Sequence, residues 1–242
     1  SGLGGYADLT YRPSRRMQVN FSASHYDDQL DLNDLGFLRR NDVTNFWMQA
    51  EYRRYDFDWA RKIYLNSFLS YEVNGDGEKT NKEIGGRTGI DFNNRHEVRW
   101  DIAYKPERID DRDSRGNGSY IKKQHHRTSF EYRTDSSKRL YNRIRMNYSK
   151  ESQGGERYVF RNSVNWRPVD QLGIGLSAQY EDSNAWVLWQ EGGRFTSFDT
   201  KQWRPNVNFS YFLSAKQQLR LSAQWVGIKA RERRFYGLET KS

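Results

Sequence analysis

Apolar and polar residues alternate with a period of two over most of this sequence, and this pattern limits the possible folds more than any other feature. One such segment is LYNRIRMNYS, residues 140–149, which separates Leu, Ile and Met from two Arg. A period of two is typical of a β-strand whose faces meet different surroundings, whereas a helix repeats every 3.6 residues. Comparable alternation occurs in about twelve segments of roughly 9–12 residues. The sequence therefore predicts an all-β protein.

The connections between these segments alternate between short turns and longer polar stretches. Short turns on one rim and long loops on the other are typical of outer-membrane barrels, whose strands run up and down in sequence order. The short turns are predicted at Pro13–Arg16, Asp56–Arg61, Asn93–His96, Thr134–Lys138, Pro168–Gln171 and Leu213–Gln217. The longer connections are predicted at Asp27–Asp42, Asn74–Lys82, Pro106–Lys123, Lys150–Glu156 and Asp182–Lys201.

Composition favours a membrane barrel over a water-soluble sandwich. Mean hydropathy is −1.06, a value that would suggest disorder, yet aromatic residues make up 15% of the chain, and disordered chains are poor in them. No stretch reaches the roughly 18 apolar residues that a membrane helix needs. The predicted strands carry charges along one face, while Gly, Ala and Thr interrupt the other. A wide barrel accommodates both faces, because the apolar one meets lipid and the polar one lines a wet lumen.

We therefore predict an antiparallel up-and-down transmembrane β-barrel in the bacterial outer membrane, formed by residues 1–242 as one barrel region. Barrels usually end with an amphipathic strand that closes on an aromatic residue, and no such strand is evident after Trp225. We expect the region to be part of a larger barrel, incomplete at one or both ends. Its expected partners are the lipid bilayer and lipopolysaccharide.

Two strings resemble a known family. Residues 31–42 read DLNDLGFLRRND and contain the pattern N-D-L-G-F-x-x-R-N, while residues 224–230 read QWVGIKA. Both are similar to segments of a large uncharacterised family of bacterial outer-membrane proteins, in which a carbohydrate-binding, family-9-like β-sandwich precedes a barrel of unknown function. The resemblance covers essentially the whole chain and implies that it is the C-terminal part of a longer protein. The family implies no established activity.

Basic residues on the polar phase of the predicted strands are the first candidates for function. Rings of Arg or Lys in a pore select anions, so these residues could line an anion-preferring lumen. The alternative, favoured because both signs of charge are present, is a ladder in which Arg pairs with Glu97, Asp101 and Glu131 and braces the wall. The candidates are Arg99, Arg143, Arg145, Arg161 and Arg220.

Two loops supply further candidates. The segment 31–42 holds an apolar insert between charges, and it is interpreted either as a constriction folded into the lumen or as a loop packed on the rim. Its candidate residues are Asp34, Phe37, Arg39 and Arg40. Trp186 and Trp189 are candidates for contact with a glycan or a protein, unless they belong to a strand extension. The acidic stretch 110–118 lacks the pattern of a calcium loop and is predicted to be a solvated tip.

The leading functional hypothesis is a channel or uptake barrel for a small solute or saccharide. The alternative is a non-conducting anchor or assembly component that displays or binds another envelope protein at the cell surface. An enzyme is not expected, since the sequence contains neither G-x-S-x-G nor H-E-x-x-H. No catalytic, cofactor or metal residue is predicted. The net charge of +9 is spread along the chain without a nucleic-acid-binding motif, so nucleic acid is not an expected partner.

Overall fold

The computed structural model describes residues 2–30, 40–114, 117–151 and 154–237, and its regular elements there are all β-strands. None of the described segments is a helix long and apolar enough to cross a membrane. The strands are β1 (Gly4–Ser14), β2 (Met17–Tyr26), β3 (Val43–Arg54), β4 (Ala60–Asn74), β5 (Lys79–Phe92), β6 (Glu97–Lys105), β7 (Arg108–Asp110), β8 (Tyr120–Lys122), β9 (His125–Arg133), β10 (Leu140–Lys150), β11 (Glu156–Val169), β12 (Leu172–Glu191), β13 (Arg194–Ser214), β14 (Gln217–Gln224) and β15 (Gly227–Gly237).

Thirteen strands form one antiparallel sheet in the order β1-β2-β3-β4-β5-β6-β9-β10-β11-β12-β13-β14, with β15 also paired to β13. Strands that follow one another in this sheet are neighbours in sequence, apart from β7 and β8. These two form a separate hairpin inside the connection from β6 to β9. The predicted all-β, antiparallel, up-and-down arrangement is therefore confirmed.

At the edge of the sheet beyond β13, the two strands β14 and β15 together occupy one strand position. β14 pairs with the second half of β13, and β15 pairs with its first half. The break between β14 and β15 lies opposite Pro205, whose nitrogen has no hydrogen to donate to an edge strand. The Pro205 carbonyl still accepts a hydrogen bond from the Trp225 N–H at 3.1 Å. The sheet thus has twelve strand positions, which matches the number of alternating segments in the sequence.

The short turns lie where the alternation places them, at one end of the sheet, and connect strands through two to six residues. Two of the longer connections were predicted wrongly. The connection between β4 and β5 is only residues 75–78, and β12 and β13 continue to a turn at Gly192–Gly193. The strand β15 was not expected either, because its sequence, GIKARERRFYG, carries charges on both faces.

The sheet is open in the described part of the chain: β1 pairs with β2 alone, and β14 and β15 pair with β13 alone. The closed barrel expected from the sequence is therefore not shown.

The distribution of apolar side chains is inverted relative to a water-soluble protein. Leu65, Trp100, Ile102 and Leu221 lie on one face of the sheet and are each more than half exposed. The opposite face carries the charges. Buried apolar residues in the described segments are Val43, Ala60, Ala103, Tyr120, Val159 and Phe195. These scattered residues do not make the contiguous apolar core that a soluble domain of this size requires.

Candidate functional site

Paired residues in an antiparallel sheet point to the same side, so the strand register identifies the members of each face. One row of paired residues runs through Arg99 on β6, Glu131 on β9, Arg145 on β10 and Arg161 on β11. Continuing across β12, the row reaches Gln179. We call the side that carries this row the polar face. Its opposite, the apolar face, includes the parallel row Trp100, Phe130, Met146 and Phe160.

Glu131 is the centre of a charge network on the polar face. Its carboxylate lies 2.7 Å from Arg143 Nη2, 2.7 Å from Arg145 Nε and 2.6 Å from Arg133 Nε. Arg133 also reaches Glu97 at 3.3 Å, and Arg99 pairs with Glu97 as well. The sequence predicted a ladder of these arginines with Glu97, Asp101 and Glu131. The structure shows contacts with Glu97 and Glu131, whereas Asp101 pairs with Arg87. It also adds Arg133, which sequence reasoning missed although it precedes a short turn on the same phase as Glu131.

The two remaining arginine candidates have different surroundings. Arg161 donates from Nε to the neutral side-chain oxygen of Gln179 at 3.0 Å. Arg220 lies on β14, opposite Ser210, three strand positions away from Arg161. The structure therefore brings together four of the predicted arginines and leaves Arg220 apart from them.

A cavity of about 720 Å³ opens beside this network at the short-turn end of the sheet. Its wall contains five arginines and three carboxylates together with neutral hydrogen-bonding groups from Tyr141, Ser163 and Asn165. The charged residues of the wall are Arg61, Arg95, Arg99, Arg133, Arg143, Asp91, Glu97 and Asp135. A polar, water-accessible recess of this kind can hold a small charged solute.

The opposite, long-loop end of the sheet carries the β7–β8 hairpin. Lys122 pairs with Asp110 at 2.6 Å and with Asp113 at 2.5 Å. Arg40 donates from Nη1 to Asp111 at 3.1 Å and lies 3.5 Å from Glu72 on the polar face of β4. Asp110 and Asp111 are thus held by basic partners rather than solvated, whereas Asp113 is 53% exposed at the side chain; residues 115 and 116 of the predicted tip lie outside the described residues. Long-range pairs of this type cannot be read from local alternation.

Contacts of the hairpin show that the sheet curls around it. Asn74, the last residue of β4, donates to Asp111 at 3.3 Å, and the Tyr120 ring packs on Phe195 of β13 with centroids 5.8 Å apart. Seven strand spacings separate β4 from β13, which is about 34 Å in a flat sheet at roughly 4.8 Å per spacing. Because a hairpin with three-residue strands reaches both, the two halves of the sheet approach each other at this end.

The constriction predicted over 31–42 is described only in part. Asp34, Phe37 and Arg39 lie outside the described residues. Arg40 is 12% exposed at the side chain and bridges the β7–β8 hairpin to β4, as its contacts with Asp111 and Glu72 show.

The two candidate tryptophans belong to a strand extension, which was one of the two alternatives. Trp186 is paired opposite Phe198, and Trp189 is paired opposite Phe195. Residues three apart on a regular strand point to opposite faces, although both tryptophans contribute atoms to the lining of one recess beside the β7–β8 hairpin. Trp186 is 37% exposed, whereas the Trp189 indole N–H donates to the Gly192 carbonyl at 2.9 Å.

Acidification is expected to loosen the β7–β8 hairpin only at low pH. Burial raises the pKa of Asp110, but hydrogen bonds from Lys122 and from the backbone N–H groups of Asp113 and Arg112 outweigh it and lower that pKa below its usual range. The stabilisation is complete above the unfolded-state pKa, near 3.9, and is lost as pH falls through the lower folded-state value. Protection factors of amides in 108–122 should therefore stay constant from about pH 8 to 5 and fall below about pH 4.

Asp110→Asn is the control for this expectation, because its amide has no comparable titration and should give lower protection that changes less with pH. Loss of protection between pH 8 and 6 in the wild-type protein would contradict the assignment to Asp110.

Within the described ranges, no group of three or more His, Asp or Glu side chains is arranged to hold a metal ion. The site is therefore described by its guanidinium and carboxylate groups, its neutral donors and the hairpin at the other end of the sheet.

Fold and site together define the chain as an antiparallel up-and-down β-sheet protein with an exposed apolar face and a charged polar face. The family model described as Domain of unknown function (DUF5916) matches residues 5–241, and the chain belongs to this family. No curated protein and no solved structure matches the chain. The outer-membrane location and the preceding carbohydrate-binding domain, which the resemblance implies, stay predictions.

Proposed function

We propose that this chain forms the wall of a transmembrane β-barrel in the bacterial outer membrane and that the barrel is a channel for a small solute. The apolar face contacts the lipid bilayer and, in the outer leaflet, lipopolysaccharide. The polar face lines an aqueous lumen, through which a charged solute or a saccharide passes.

The exposed apolar face is the observation that supports this proposal. Large side chains such as Trp100, Phe130, Met146 and Phe160 form continuous cross-strand rows that nothing covers in the described structure. Soluble monomers rarely expose contiguous apolar patches beyond a few hundred Å². Lipid covers such a face without requiring the close packing of a protein core. The polar face is then the side on which water and solute meet the sheet.

Strand pairing sets a requirement for this proposal. Lipid offers no hydrogen-bonding partner to an open sheet edge, so a sheet that crosses a bilayer must be closed. The proposal therefore requires β1 and the edge formed by β14 and β15 to be paired in the membrane, either with each other or with further strands. Curling of the sheet around the β7–β8 hairpin is the shape that such a closure needs.

The β7–β8 hairpin favours a second candidate function, the non-conducting anchor that holds or displays an envelope partner. The hairpin contacts both halves of the sheet through Asp111 and Tyr120, and a segment in that position could close the lumen. Opening or removing it separates the two candidates.

A gel and an electrical measurement test the proposal on the full-length protein purified from outer membranes in detergent. A closed barrel should migrate faster before heating than after it, and a channel should give steady single-channel conductance in planar bilayers. Identical migration before and after heating, with the protein in a detergent-free soluble fraction, would overturn the membrane barrel. A heat shift without conductance would favour the anchor.

Loosening the hairpin should increase conductance. Asp111→Ala removes the acceptor shared by Arg40 and Asn74, so the hairpin should open more often and the mean single-channel conductance should rise. Asp76→Ala is the matched control. Asp76 lies in the exposed turn between β4 and β5, so its substitution removes the same charge from the same rim. Equal conductance in the two variants would show that the hairpin does not restrict the pore.

A further inference from the structure

We propose that Arg99, Arg133, Arg143, Arg145 and Arg161, here called the arginine cluster, form a binding and selection site for solutes that carry an oxyanion, either a phosphate or a carboxylate group. This inference deepens the proposed function and rests on its aqueous lumen. It names the chemical class of solute that the polar face recognises.

The arginine cluster carries an excess of positive charge. In the described part of the chain, the carboxylates that pair with these arginines are Glu97 and Glu131, and Arg161 donates to the neutral Gln179. Five guanidinium groups therefore face two carboxylates. Elsewhere on the polar face the ratio is lower, since Arg157 pairs with Glu181, and Glu83 is shared by Lys105 and Arg127. A ladder whose only role was to brace the wall would need no such excess.

The carboxylate and the guanidinium groups of the cluster differ in their exposure to solvent. The Glu131 side chain is 1% exposed, whereas the side chains of Arg133, Arg143 and Arg145 are 32%, 39% and 33% exposed. The carboxylate thus lies beneath the guanidinium groups and fixes their positions, while the cations are the groups that a solute meets. Bracing and anion binding are therefore compatible, because Glu131 organises the site from beneath, while Glu97, 15% exposed at the side chain, is the partner that neutralises part of the surface.

A cavity beside the arginine cluster offers room for a solute. The cavity of about 720 Å³ is lined by Arg99, Arg133 and Arg143 from the cluster and by Tyr141 and Ser163. Arg61 and Arg95 add two further cations to its wall, against the carboxylates of Asp91, Glu97 and Asp135. Hydroxyl groups beside guanidinium groups supply additional donors to the oxygens of one anion. The cavity is large enough for a phosphorylated or carboxylated sugar, within the roughly 300–1,000 Å³ range of small-molecule sites.

The guanidinium group is well suited to bind oxyanions. A guanidinium group presents a planar fork of N–H donors that matches carboxylate and phosphate oxygens in pairs, and it stays charged at every physiological pH. Arginine on the wall of a pore therefore favours oxyanions over neutral solutes and cations. Lysine would supply the charge without the fork.

The test uses the full-length protein in detergent and in planar bilayers, with inorganic phosphate and acetate as probes. In detergent, the midpoint temperature of the heat-dependent gel shift is measured at constant ionic strength as each probe replaces chloride. In bilayers, the reversal potential is measured across a KCl gradient. We expect phosphate and acetate to raise the midpoint temperature, and chloride to be more permeant than potassium.

The variant Arg143→Gln/Arg145→Gln should weaken the apparent affinity for phosphate by at least about tenfold, since charge-assisted hydrogen bonds to the anion are lost, and should lower the chloride preference at least about twofold. Arg157→Gln, which removes one charge from a paired site on the same face, is the control and should change neither value much. Arg143→Lys/Arg145→Lys keeps the charge, and we expect it to keep chloride selectivity while losing part of the phosphate affinity.

Each outcome bears separately on the site and on the channel. A phosphate-dependent midpoint that Arg143→Gln/Arg145→Gln shifts to at least about tenfold higher phosphate supports the site even if the barrel does not conduct, in which case the channel proposal fails alone. Steady conductance without chloride preference, together with equal phosphate responses in the wild-type protein and the glutamine variant, overturns the site and leaves the channel standing.

Discussion

We expect Phe130→Arg to lower the free energy of unfolding of the protein in a bilayer by about 2–4 kcal/mol, the typical effect of a charged side chain on the lipid face of a barrel near the bilayer midplane. Phe130 lies in the apolar row between Trp100 and Met146 and is 43% exposed. That row meets β10 midway between Leu140, at the short-turn end, and Lys150. A guanidinium group at this position would have to lie in hydrocarbon.

Ser129→Arg is the matched control, because Ser129 adjoins Phe130 on the same strand and faces the polar side beside Asp101 and Asn147. Its substitution should change the unfolding free energy by less than about 1 kcal/mol, as expected for a wet surface. Urea titrations of the two variants refolded into lipid vesicles give both values. A larger loss for Ser129→Arg than for Phe130→Arg would show that the faces are assigned the wrong way round and would remove the support for a membrane barrel.

The features that the sequence predicted well are those that depend on neighbouring residues. Strand positions, the short turns and the division into a polar and an apolar face all follow from a period of two, because successive side chains must point to opposite sides. The placement of Arg99, Arg143 and Arg145 on one face belongs to this class. Their contact with Glu97 and Glu131 was also predicted, since β6, β9 and β10 are adjacent in an up-and-down sheet.

The features that the sequence did not predict depend on contacts between distant segments. The β7–β8 hairpin has strands of three residues each, too short for alternation to be visible. Its position depends on Arg40 and Phe195, which are far from it in sequence. The strand β15 was missed for a related reason: hydrogen bonding to the exposed half of β13 stabilises it, although its own side chains show no apolar phase.

The buried carboxylate connects the stability of the sheet with its proposed selectivity. Glu131 contacts two arginines on the neighbouring strand β10 and a third arginine two residues away on its own strand. Without it, neighbouring guanidinium groups would repel one another across a strand spacing of about 5 Å. An arginine cluster of this density therefore requires an acidic residue beneath it, and the same residue sets how much positive charge remains for a solute.

We accordingly expect Glu131→Gln to lower the free energy of unfolding by about 2–3 kcal/mol. Removing one partner of a fully buried ion pair typically costs about 3–5 kcal/mol, and the smaller figure allows for the partial exposure of Arg133, Arg143 and Arg145. Urea titration at low ionic strength measures the loss. Glu181→Gln is the control, because Glu181 is also buried but pairs, among the residues that the structure describes, with the single arginine Arg157, and its substitution should cost about 1–2 kcal/mol.

Phosphate should also change the stability of Glu131→Gln, an effect that a purely structural role of Glu131 would not produce. An anion bound among the unpaired guanidinium groups replaces the lost carboxylate, and binding to the folded state alone stabilises it in proportion to occupancy. Phosphate should therefore recover more stability in Glu131→Gln than in Glu181→Gln or in the wild-type protein, and the chloride preference of the pore should rise because the cluster gains one net positive charge. Equal recovery in the three proteins would mean that Glu131 braces the wall without shaping an anion site.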